Sequence, residues 1–406
     1  MADHLALVTG AEVEQLLTAA LAGVGGRVVA WSPRSVHHQP RAATTASYGT
    51  TVDWGTGSTQ ETLMLSAGRA APRAPSDGVV LLGDGRDVVA AWRFPTDPEL
   101  PGLATATDPR GARAVLDELG VPGFAAAGPA RIRVRTFRPL RRAVIQVEAG
   151  AHSAFLRVVR PTEAAGVHHR HELMRAAGLP VPRSWGWTPS GIVALEALPG
   201  VPLHRQLRSG GAAPTGSDLL RLLSTLPDEL CALPARRSWT DDVEEYARVI
   251  GETIPDQRSR AHDLAAAVAA GLSGMPSDGP VHGDFHGGQL LATDSQIRGL
   301  LDLETAGPGR RADDVATLLA HLEARACGAD AKSDAYAQRL GGLAVEWRRS
   351  AEEVVDATEL RLRVAGTLLG LATGPFRTQR RGWAEATSLY LHAVQRWVNG
   401  PDPRWT

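Results

Sequence analysis

The segment that most constrains the fold is the stretch Val281–Val315, which reads VHGDFHGGQLLATDSQIRGLLDLETAGPGRRADDV. Short apolar runs alternate in it with acidic, amide and histidine side chains, which normally avoid burial. Gly287 and Gly288 allow a backbone turn, and Asp294–Gln296 reads as a second turn between two apolar runs. We therefore predict a hairpin whose second strand runs over Ile297–Leu303.

The predicted hairpin places three oxygen-bearing side chains close together, those of Asp284, Gln289 and Asp302. Two carboxylates and an amide oxygen are hard ligands of the kind that Mg²⁺ prefers, with coordination positions left for water and phosphate. A carboxylate base beside such a metal is what phosphoryl transfer needs, because that chemistry depends mainly on positioning and charge neutralisation. The alternative is a structural hairpin whose acidic residues cap turns and helices.

The motif HGDFHGGQ, followed by LLDLETAGPG and ADDVA, resembles the aminoglycoside phosphotransferase family of small-molecule kinases, which are related to protein kinases. The resemblance implies that Asp284 orients and deprotonates an acceptor hydroxyl and that Gln289 and Asp302 hold Mg²⁺. Gln289 stands five positions after Asp284, where many members have asparagine, and is similar to the maltokinase and glucosamine kinase branch. The resemblance further implies that Glu304 is a metal ligand or acceptor contact and that Asp314 braces the loop.

The composition sets broad limits on the class of protein. A chain of 406 residues, 43% of them hydrophobic, is long enough for two or more domains with apolar cores. Its net charge of −1, without blocks of basic residues, gives no indication of a nucleic-acid partner or an anionic membrane surface. Cys231 and Cys327 are too few for a disulfide framework and lack zinc-ligand spacing. The N-terminus lacks the basic region of a signal peptide and no apolar run has membrane-spanning length, so we expect a soluble cytoplasmic protein.

Residues 1–97 are predicted to form a β-rich N-terminal cap, which is similar to the cap of maltokinase-like members. A helix over Glu12–Ala22 ends at a glycine, and short alternating segments divided by Gly, Pro, Ser and Asp follow to about Arg93. Such segments are typical of antiparallel strands. The adjacent histidines His37 and His38 would point to opposite faces of a strand, which favours surface positions over a shared metal ion.

Residues 98–198 are predicted to form a nucleotide-binding N-lobe. Three of its strands read RIRVRTF, AVIQVEA and SAFLRVVR. The turn Arg138–Arg142 between the first two is basic and lacks glycine. The resemblance implies that this turn covers the nucleotide phosphates with guanidinium groups instead of backbone amides. An exposed basic hairpin is the alternative.

On the third of these strands the family has a lysine that pairs with the nucleotide phosphates, whereas this chain has Arg157, and its only lysine is Lys332. Arginine binds phosphate bidentately but is planar and bulkier, so the replacement alters the phosphate geometry. The resemblance implies that Arg157 pairs with Glu172, as a helix glutamate pairs with the lysine of kinases.

Glu172 lies on a helix that we expect to run from Val167 to Ala177. The histidines of its first turns suggest a metal as an alternative, although only His168 and His171 share a face and no further ligands follow at zinc-like spacing. After the closing strands, the resemblance implies a hinge at Glu196 and Leu198 whose backbone groups bind the adenine edge.

Residues 199–406 are predicted to form a mainly helical catalytic C-lobe that carries the hairpin. The helices predicted from apolar spacing and flanking breakers are Asp218–Leu233, Asp241–Ile250, Gln257–Leu272, Ala312–Ala326, Asp334–Arg349, Glu352–Leu371 and Ala384–Val398. An aromatic and basic loop interrupts the last helices, and the resemblance implies acceptor contacts there, at Arg377 and Trp383. Core packing is the alternative for Trp383.

The sequence thus indicates an α+β, protein-kinase-like fold, with a β-rich N-terminal cap and N-lobe and a mainly helical C-lobe. The function implied by the resemblance is ATP- and Mg²⁺-dependent transfer of the γ-phosphate to a hydroxyl of a small molecule, such as a sugar, an amino sugar or an aminoglycoside. Such an activity would serve sugar metabolism or antibiotic resistance. Two alternatives stay open. One is a nucleotide-binding pseudokinase with a regulatory role, and the other is a metal-dependent hydrolase that uses His282, Asp284, His286 and Asp302.

Overall fold

The structure is a computed structural model of the chain, and it describes residues 3–74, 77–83, 87–126, 128–327 and 334–400. The chain divides into two compact units. The first comprises residues 1–168, 184–197 and 376–381, and the second comprises residues 169–183, 198–375 and 382–406. Lys332 lies outside the described residues. The division into parts at 1–97, 98–198 and 199–406 stays a prediction.

The first unit begins with two helices, α1 (His4–Thr9) and α2 (Val13–Ala22), which pack on an antiparallel sheet. The strands of this sheet stand in the order β1-β2-β3-β5-β4. They are β1 (Arg27–Gln39), β2 (Ala43–Asp53), β3 (Ser58–Gly68), β4 (Val79–Leu82) and β5 (Val89–Arg93). Leu17 and Leu21 are four residues apart and therefore share one face of α2. Both are buried against the sheet, in the same core as Tyr48 of β2. The predicted antiparallel region is confirmed.

Of the two histidines of β1, His38 differs from the expectation. His38 is buried, and its Nδ1 is hydrogen bonded to Thr44 Oγ1 at 2.7 Å across the β1–β2 pair. His4 of α1 is hydrogen bonded to the same hydroxyl at 2.7 Å. The interpretation of both histidines as surface residues is therefore wrong for His38, because α1 covers that face of the strand.

A second antiparallel sheet follows α3 (Leu103–Thr107) and α4 (Pro109–Glu118). Asp108 caps α4 by accepting a hydrogen bond from the Gly111 N–H at 2.7 Å. The strand order is β6-β7-β8-β10-β9. The strands are β6 (Arg131–Arg138), β7 (Arg142–Ala149), β8 (His152–Val159), β9 (Ser184–Trp187) and β10 (Ile192–Glu196). The three strands predicted for this region are confirmed as β6, β7 and β8.

The basic turn between β6 and β7 is held from both sides. Leu140 at its centre has a φ of 63°, and its N–H donates to Asp97 Oδ2 at 2.9 Å. Arg160 Nη2 donates to the Leu140 carbonyl oxygen at 2.7 Å. These bonds fix a left-handed backbone conformation that leucine rarely adopts. The role of Arg138–Arg142 in covering phosphates stays a prediction.

The helix that carries Glu172, α5, runs over Pro161–Ala176 and begins six residues earlier than Val167. Proline at the first helical position has its φ already set for the helix, and Glu163 places negative charge in the first turn. These start signals lie outside the apolar pattern from which the helix was predicted.

The histidines of α5 have separate partners. His168 Nδ1 is hydrogen bonded to Ser184 Oγ at 2.7 Å, and His171 Nδ1 to the Pro182 carbonyl oxygen at 2.8 Å. Among the described residues, neither histidine belongs to a group whose side chains could jointly ligate a metal. The alternative of a metal at these histidines therefore has no support.

The second unit is mainly helical. Its helices are α6 (Leu203–Arg208), α7 (Gly216–Ser224), α8 (Val243–Thr253), α9 (Arg258–Leu272), α10 (Arg311–Cys327), α11 (Asp334–Glu352), α12 (Ala357–Leu371), α13 (Gly374–Arg377, partly in the first unit) and α14 (Trp383–Asn399). The single helix predicted over Asp218–Leu233 is wrong, because α7 ends before Pro227 and only a 3₁₀ turn follows. The helix predicted from Glu352 begins later, after Asp356, whose carboxylate accepts the Glu359 N–H at 2.8 Å.

The strands of the second unit are short. The hairpin consists of β13 (Leu290–Thr293) and β14 (Gln296–Leu300), and β11 (Val201–Pro202) pairs with its outer edge. A further pair, β12 (Gly279–Val281) with β15 (Gly307–Gly309), flanks the HGD loop. The predicted hairpin is confirmed, although its second strand ends at Leu300 and not at Leu303. Among the helices of the described residues, none is long and apolar enough to cross a membrane.

Candidate active site

The loop after β12 is hydrogen bonded to the first turn of α10. The backbone N–H groups of His282 and Gly283 donate to the two carboxylate oxygens of Asp314, at 2.7 and 2.8 Å. Asp314 is buried, and burial raises its pKa to about 7 even though these two N–H groups lower it. Gly283 has a φ of 82°, and a Cβ there would lie 2.7 Å from the Thr305 carbonyl oxygen, so the loop requires glycine.

The imidazole of His282 is a structural group. It is fully buried, its Nε2 is hydrogen bonded to the Leu301 carbonyl oxygen at 2.9 Å, and its Nδ1 accepts from the Asp284 N–H at 3.3 Å. Thr305 Oγ1 donates to the His282 carbonyl oxygen at 2.9 Å. Both ring nitrogens are engaged with the backbone, as expected for a structural hydrogen-bonding residue and not for a metal ligand.

Asp302 follows β14 in a left-handed conformation, with a φ of 62°. It precedes a 3₁₀ turn but its carboxylate does not cap that turn. Instead, its Oδ2 accepts a hydrogen bond from Gln289 Nε2 at 3.1 Å. A residue other than glycine in this conformation costs of order 1 kcal/mol and persists only where its surroundings impose it. The Leu301 N–H, which donates to the Gln289 carbonyl oxygen at 2.8 Å, is one such restraint.

The three side chains predicted from the motif meet at one point. Gln289 Nε2 lies 3.1 Å from Asp302 Oδ2 and 3.4 Å from Asp284 Oδ2. The Asp284 side chain is 22% exposed, so it is accessible from solvent. Two carboxylates and one amide fit Mg²⁺ as a donor set, because each can present a hard oxygen, provided that the amide turns its Oε1 and not its Nε2 inward.

Two further histidines lie beside this cluster. The rings of His286 and His321 stack, with centroids 3.9 Å apart and an interplanar angle of 12°. His286 Nε2 is 3.8 Å from Asp284 Oδ2. Burial, together with the nearby Arg325 guanidinium, lowers the pKa of His286 to about 4, so the ring is neutral at pH 7. Sequence reasoning missed His321, although it follows Asp314 by seven positions and so lies on the same face of α10.

Asp284, His286 and His321 each offer a ligand atom within 4.8 Å of the others, which raises the question of a transition-metal site. The Gly288 N–H donates to His286 Nδ1 at 2.9 Å. That nitrogen therefore carries no proton, and the proton of the neutral ring sits on Nε2, which faces Asp284. A protonated nitrogen cannot ligate a metal. With His282 also engaged, the geometry favours a hard-oxygen site over the histidine site of the hydrolase alternative.

The remaining predicted residues are distributed over both units. Arg157 in β8 and Glu196 at the end of β10 belong to the first unit, whereas Glu172 and Leu198 belong to the second. Leu198 lies against Gly299 of β14. Arg157 is buried and Glu172 is exposed. Their nucleotide-binding roles stay predictions.

The same holds for the three predicted substrate contacts. Glu304 is buried close to Arg170, and its charge opposes the lowering of the Arg170 pKa that burial causes. Arg377 belongs to the first unit, where burial of His37, followed by the charge of Arg377, lowers the pKa of that histidine. Trp383 is the half-buried first residue of α14 in the second unit. Their roles as acceptor contacts stay predictions.

Residues 138–352, more than half of the chain, match the phosphotransferase enzyme family (APH). The chain therefore belongs to this family, and it is a small-molecule phosphotransferase that acts on a hydroxyl group. The resemblance inferred from the motif is confirmed, as is the α+β, protein-kinase-like class with its β-rich N-terminal part and helical C-terminal part.

Several solved structures resemble the chain at low identity. A choline/ethanolamine kinase family protein from Mesorhizobium loti is 16% identical, with 72% of this chain and 95% of that chain covered and a TM-score of 0.48. A thermostable mutant of aminoglycoside phosphotransferase APH(4)-Ia, in ternary complex with ADP and hygromycin B, is 12% identical, with 71% and 99% covered and a TM-score of 0.49. Choline kinase from Cryptosporidium parvum is 10% identical, with 71% and 95% covered and a TM-score of 0.49. No curated protein sequence matches the chain significantly.

Proposed function

We propose that this phosphotransferase moves the γ-phosphate of ATP, with Mg²⁺, to a hydroxyl of a sugar, an amino sugar or an aminoglycoside. The observation that carries the proposal is that the carboxylates of Asp284 and Asp302 both lie within 3.4 Å of the Gln289 amide nitrogen. The loop that carries Asp284 is braced by Asp314. A base and two further oxygen donors at one point are what phosphoryl transfer requires.

Asp284 is the base in this proposal. Its carboxylate accepts the proton of the acceptor hydroxyl while the hydroxyl oxygen forms the new bond to the γ-phosphorus and the bond to the β-phosphate oxygen breaks. Its partial exposure lets an acceptor reach it, while the hydrogen bond from its own N–H to His282 Nδ1 fixes the backbone. A fixed carboxylate contributes through orientation as well as basicity.

Gln289 and Asp302 would hold Mg²⁺, with Asp284 next to them. When bound, Mg²⁺ neutralises the phosphate charge that opposes attack. The left-handed backbone at Asp302 turns its carboxylate away from the 3₁₀ turn and toward Gln289, which is the arrangement a ligand needs.

The nucleotide contacts proposed are Arg157, Glu172, Glu196 and Leu198, with the basic turn Arg138–Arg142 over the phosphates. Arginine suits phosphate because its planar fork binds two oxygens at once. Acceptor contacts are proposed for Glu304, Arg377 and Trp383. The maltokinase and glucosamine kinase branch is the proposed place within the family, on the strength of Gln289.

Release of ADP from Mg-ATP across an acceptor panel tests the proposal. The panel contains glucosamine, maltose, glucose, several aminoglycosides and a macrolide. We expect turnover with one class and a loss of about 100-fold or more in Asp284→Asn, because a general base contributes that much. Asp294→Asn is the matched control, since Asp294 is exposed in the hairpin turn and asparagine tolerates its φ of 55°.

The second candidate function is a nucleotide-binding pseudokinase with a regulatory role. The observation that favours it is Arg157, which stands in β8 where the family resemblance implies lysine. Tight Mg-ATP binding without turnover on any acceptor, unchanged by Arg157→Lys, would favour this candidate. A gain of turnover in Arg157→Lys would favour the enzyme.

A further inference from the structure

We propose that His286 is a positioning residue that sets which end of the Gln289 amide faces Asp284 and Asp302. This inference rests on the proposed function, because it assigns His286 a positioning role at the same proposed Mg²⁺ site. Its starting point is that a glutamine is a metal ligand in only one of its two amide orientations. Only Oε1 can ligate, whereas Nε2 carries two protons and repels a cation.

The hydrogen bonds of His286 fix its tautomer. The Gly288 N–H can only donate, and it lies 2.9 Å from His286 Nδ1, so Nδ1 accepts. A ring that accepts at Nδ1 is neutral and bears its proton on Nε2. His286 therefore presents an N–H donor to the interior of the site.

The group that faces this donor is the Gln289 amide. Gln289 Nε2 lies 3.4 Å from His286 Nε2, so two donors oppose each other on that side. On the other side, the same Nε2 satisfies the carboxylates of Asp302 and Asp284, at 3.1 and 3.4 Å. The two sides of the amide thus favour opposite orientations.

With its Oε1 turned toward the carboxylates, Gln289 would complete a set of three hard oxygen donors for Mg²⁺. In that orientation the carboxylates would be neutralised by the bound ion and not by the amide protons of Gln289. The Gln289 Oε1 would then also accept a hydrogen bond from the His286 Nε2–H, which the Nε2 of the amide cannot do. His286 stabilises the orientation that binds the ion and disfavours the one that excludes it.

The ring is held in place for this role. A Cβ at position 288 would lie 2.5 Å from His286 Cε1, so the ring closes over the backbone only because residue 288 is glycine. His321 stacks on the ring at 3.9 Å. The Gly287 carbonyl oxygen accepts from the His204 N–H at 2.9 Å, which fixes the loop beneath the ring. The donor therefore points in one direction.

The test is a double-mutant cycle on the binding of Mn²⁺, a paramagnetic substitute for Mg²⁺, with the free ion measured by EPR in the presence of ADP. His286→Phe retains a ring to stack on His321 but has no N–H donor. We expect it to weaken Mn²⁺ binding about tenfold, the size of one net hydrogen bond. Gln289→Glu presents an oxygen in either orientation. Adding His286→Phe to Gln289→Glu should therefore change Mn²⁺ binding less than twofold.

An equal loss from His286→Phe in both backgrounds would overturn the inference and assign the ring a merely structural part. The wild-type protein alone gives an independent check, because ring ¹⁵N chemical shifts must show a bare Nδ1 and a protonated Nε2. The opposite tautomer overturns the inference without any variant. Wild-type Mn²⁺ binding with no change in His286→Phe would reject the inference but leave the proposed function intact. Absence of Mn²⁺ binding in the wild type would reject both.

Discussion

Gly288→Ala tests the geometry of the site with a neighbouring residue as its control. A Cβ at position 288 would meet His286 Cε1 at 2.5 Å and Nδ1 at 2.9 Å, closer than real Cβ contacts allow. At Gly287 the nearest atom to such a Cβ is the His204 backbone nitrogen at 3.4 Å, an ordinary contact. The two alanine variants are chemically identical and adjacent, yet only Gly288→Ala must displace the His286 ring.

The size of the effect follows from what the displaced ring loses. The bond from the Gly288 N–H to Nδ1 is worth about 1 kcal/mol. The stack on His321 adds about 1 kcal/mol. The combined loss of about 2 kcal/mol should appear in the free energy of unfolding. Mn²⁺ binding should weaken by no more than the roughly tenfold expected of His286→Phe, because a displaced ring can lose no more than its N–H donor. For Gly287→Ala we expect a change within about 0.5 kcal/mol, or about twofold.

The assay compares Mn²⁺ binding and ADP release in the wild type and the two alanine variants. Circular dichroism of each variant establishes that the chain is folded at the assay temperature. Equal behaviour of Gly288→Ala and Gly287→Ala would refute the reasoning, because the close contact with the His286 ring would then have no effect on the site.

Three more predictions concern stability. Asp302→Ala should lower the free energy of unfolding by about 1 kcal/mol more than Asp302→Asn, since asparagine tolerates a left-handed backbone; equal denaturation midpoints would contradict this. Folding raises the pKa of Asp314 from 3.8 to about 7, so its contribution to stability is full below about pH 4 and is lost as the pH rises toward 7. The difference in unfolding free energy between the wild type and Asp314→Asn should therefore change over that window. A difference that is the same at pH 5 and pH 8 would count against this prediction. Arg363→Ala leaves the buried Glu359 carboxylate without one of its two guanidinium partners and should cost about 3 kcal/mol in denaturant unfolding, against less than about 0.5 kcal/mol for the exposed control Arg221→Ala.

The hairpin could be predicted because its signals are local. Turn residues stand at Asp294–Gln296 and apolar runs lie on both sides, so a hairpin brings Gln289 and Asp302 together although they are 13 positions apart. The strands of the two sheets were predicted for the same reason, from alternation and turn punctuation. The apolar pattern alone gave a wrong helix over Asp218–Leu233, because it does not take account of Pro227, which a continuous helix cannot accommodate there.

The surroundings of the hairpin could not be predicted, because they depend on residues far apart in the chain. His321 reaches His286 from a helix 35 positions away, and no spacing rule relates a loop histidine to a helix histidine at that distance. The first unit gives a second example of such a contact. His38 is buried because α1 covers it, and its hydrogen-bond partner Thr44 is also hydrogen bonded to His4 of α1. Such contacts follow from tertiary packing and not from periodicity.

The two departures from the family pattern, Arg157 and Gln289, agree with the amino-acid composition of the whole chain. The chain has one lysine, Lys332, and one asparagine, Asn399, in 406 residues. Arg157 and Gln289 stand where the resemblance implies lysine and asparagine, which are two residue types that this chain scarcely uses. The replacements therefore agree with a bias of the whole chain and are weak grounds for a loss of activity.

A single helix, α10, supplies both restraints on the HGD loop. Asp314 in its first turn holds the start of the loop, and His321, two turns on, covers the ring that follows Asp284. Because an α-helix is stiff along its axis, a shift of α10 moves both restraints together by the same amount. Substitutions on the buried face of α10 that displace the helix should therefore perturb the start of the loop and the His286 ring together.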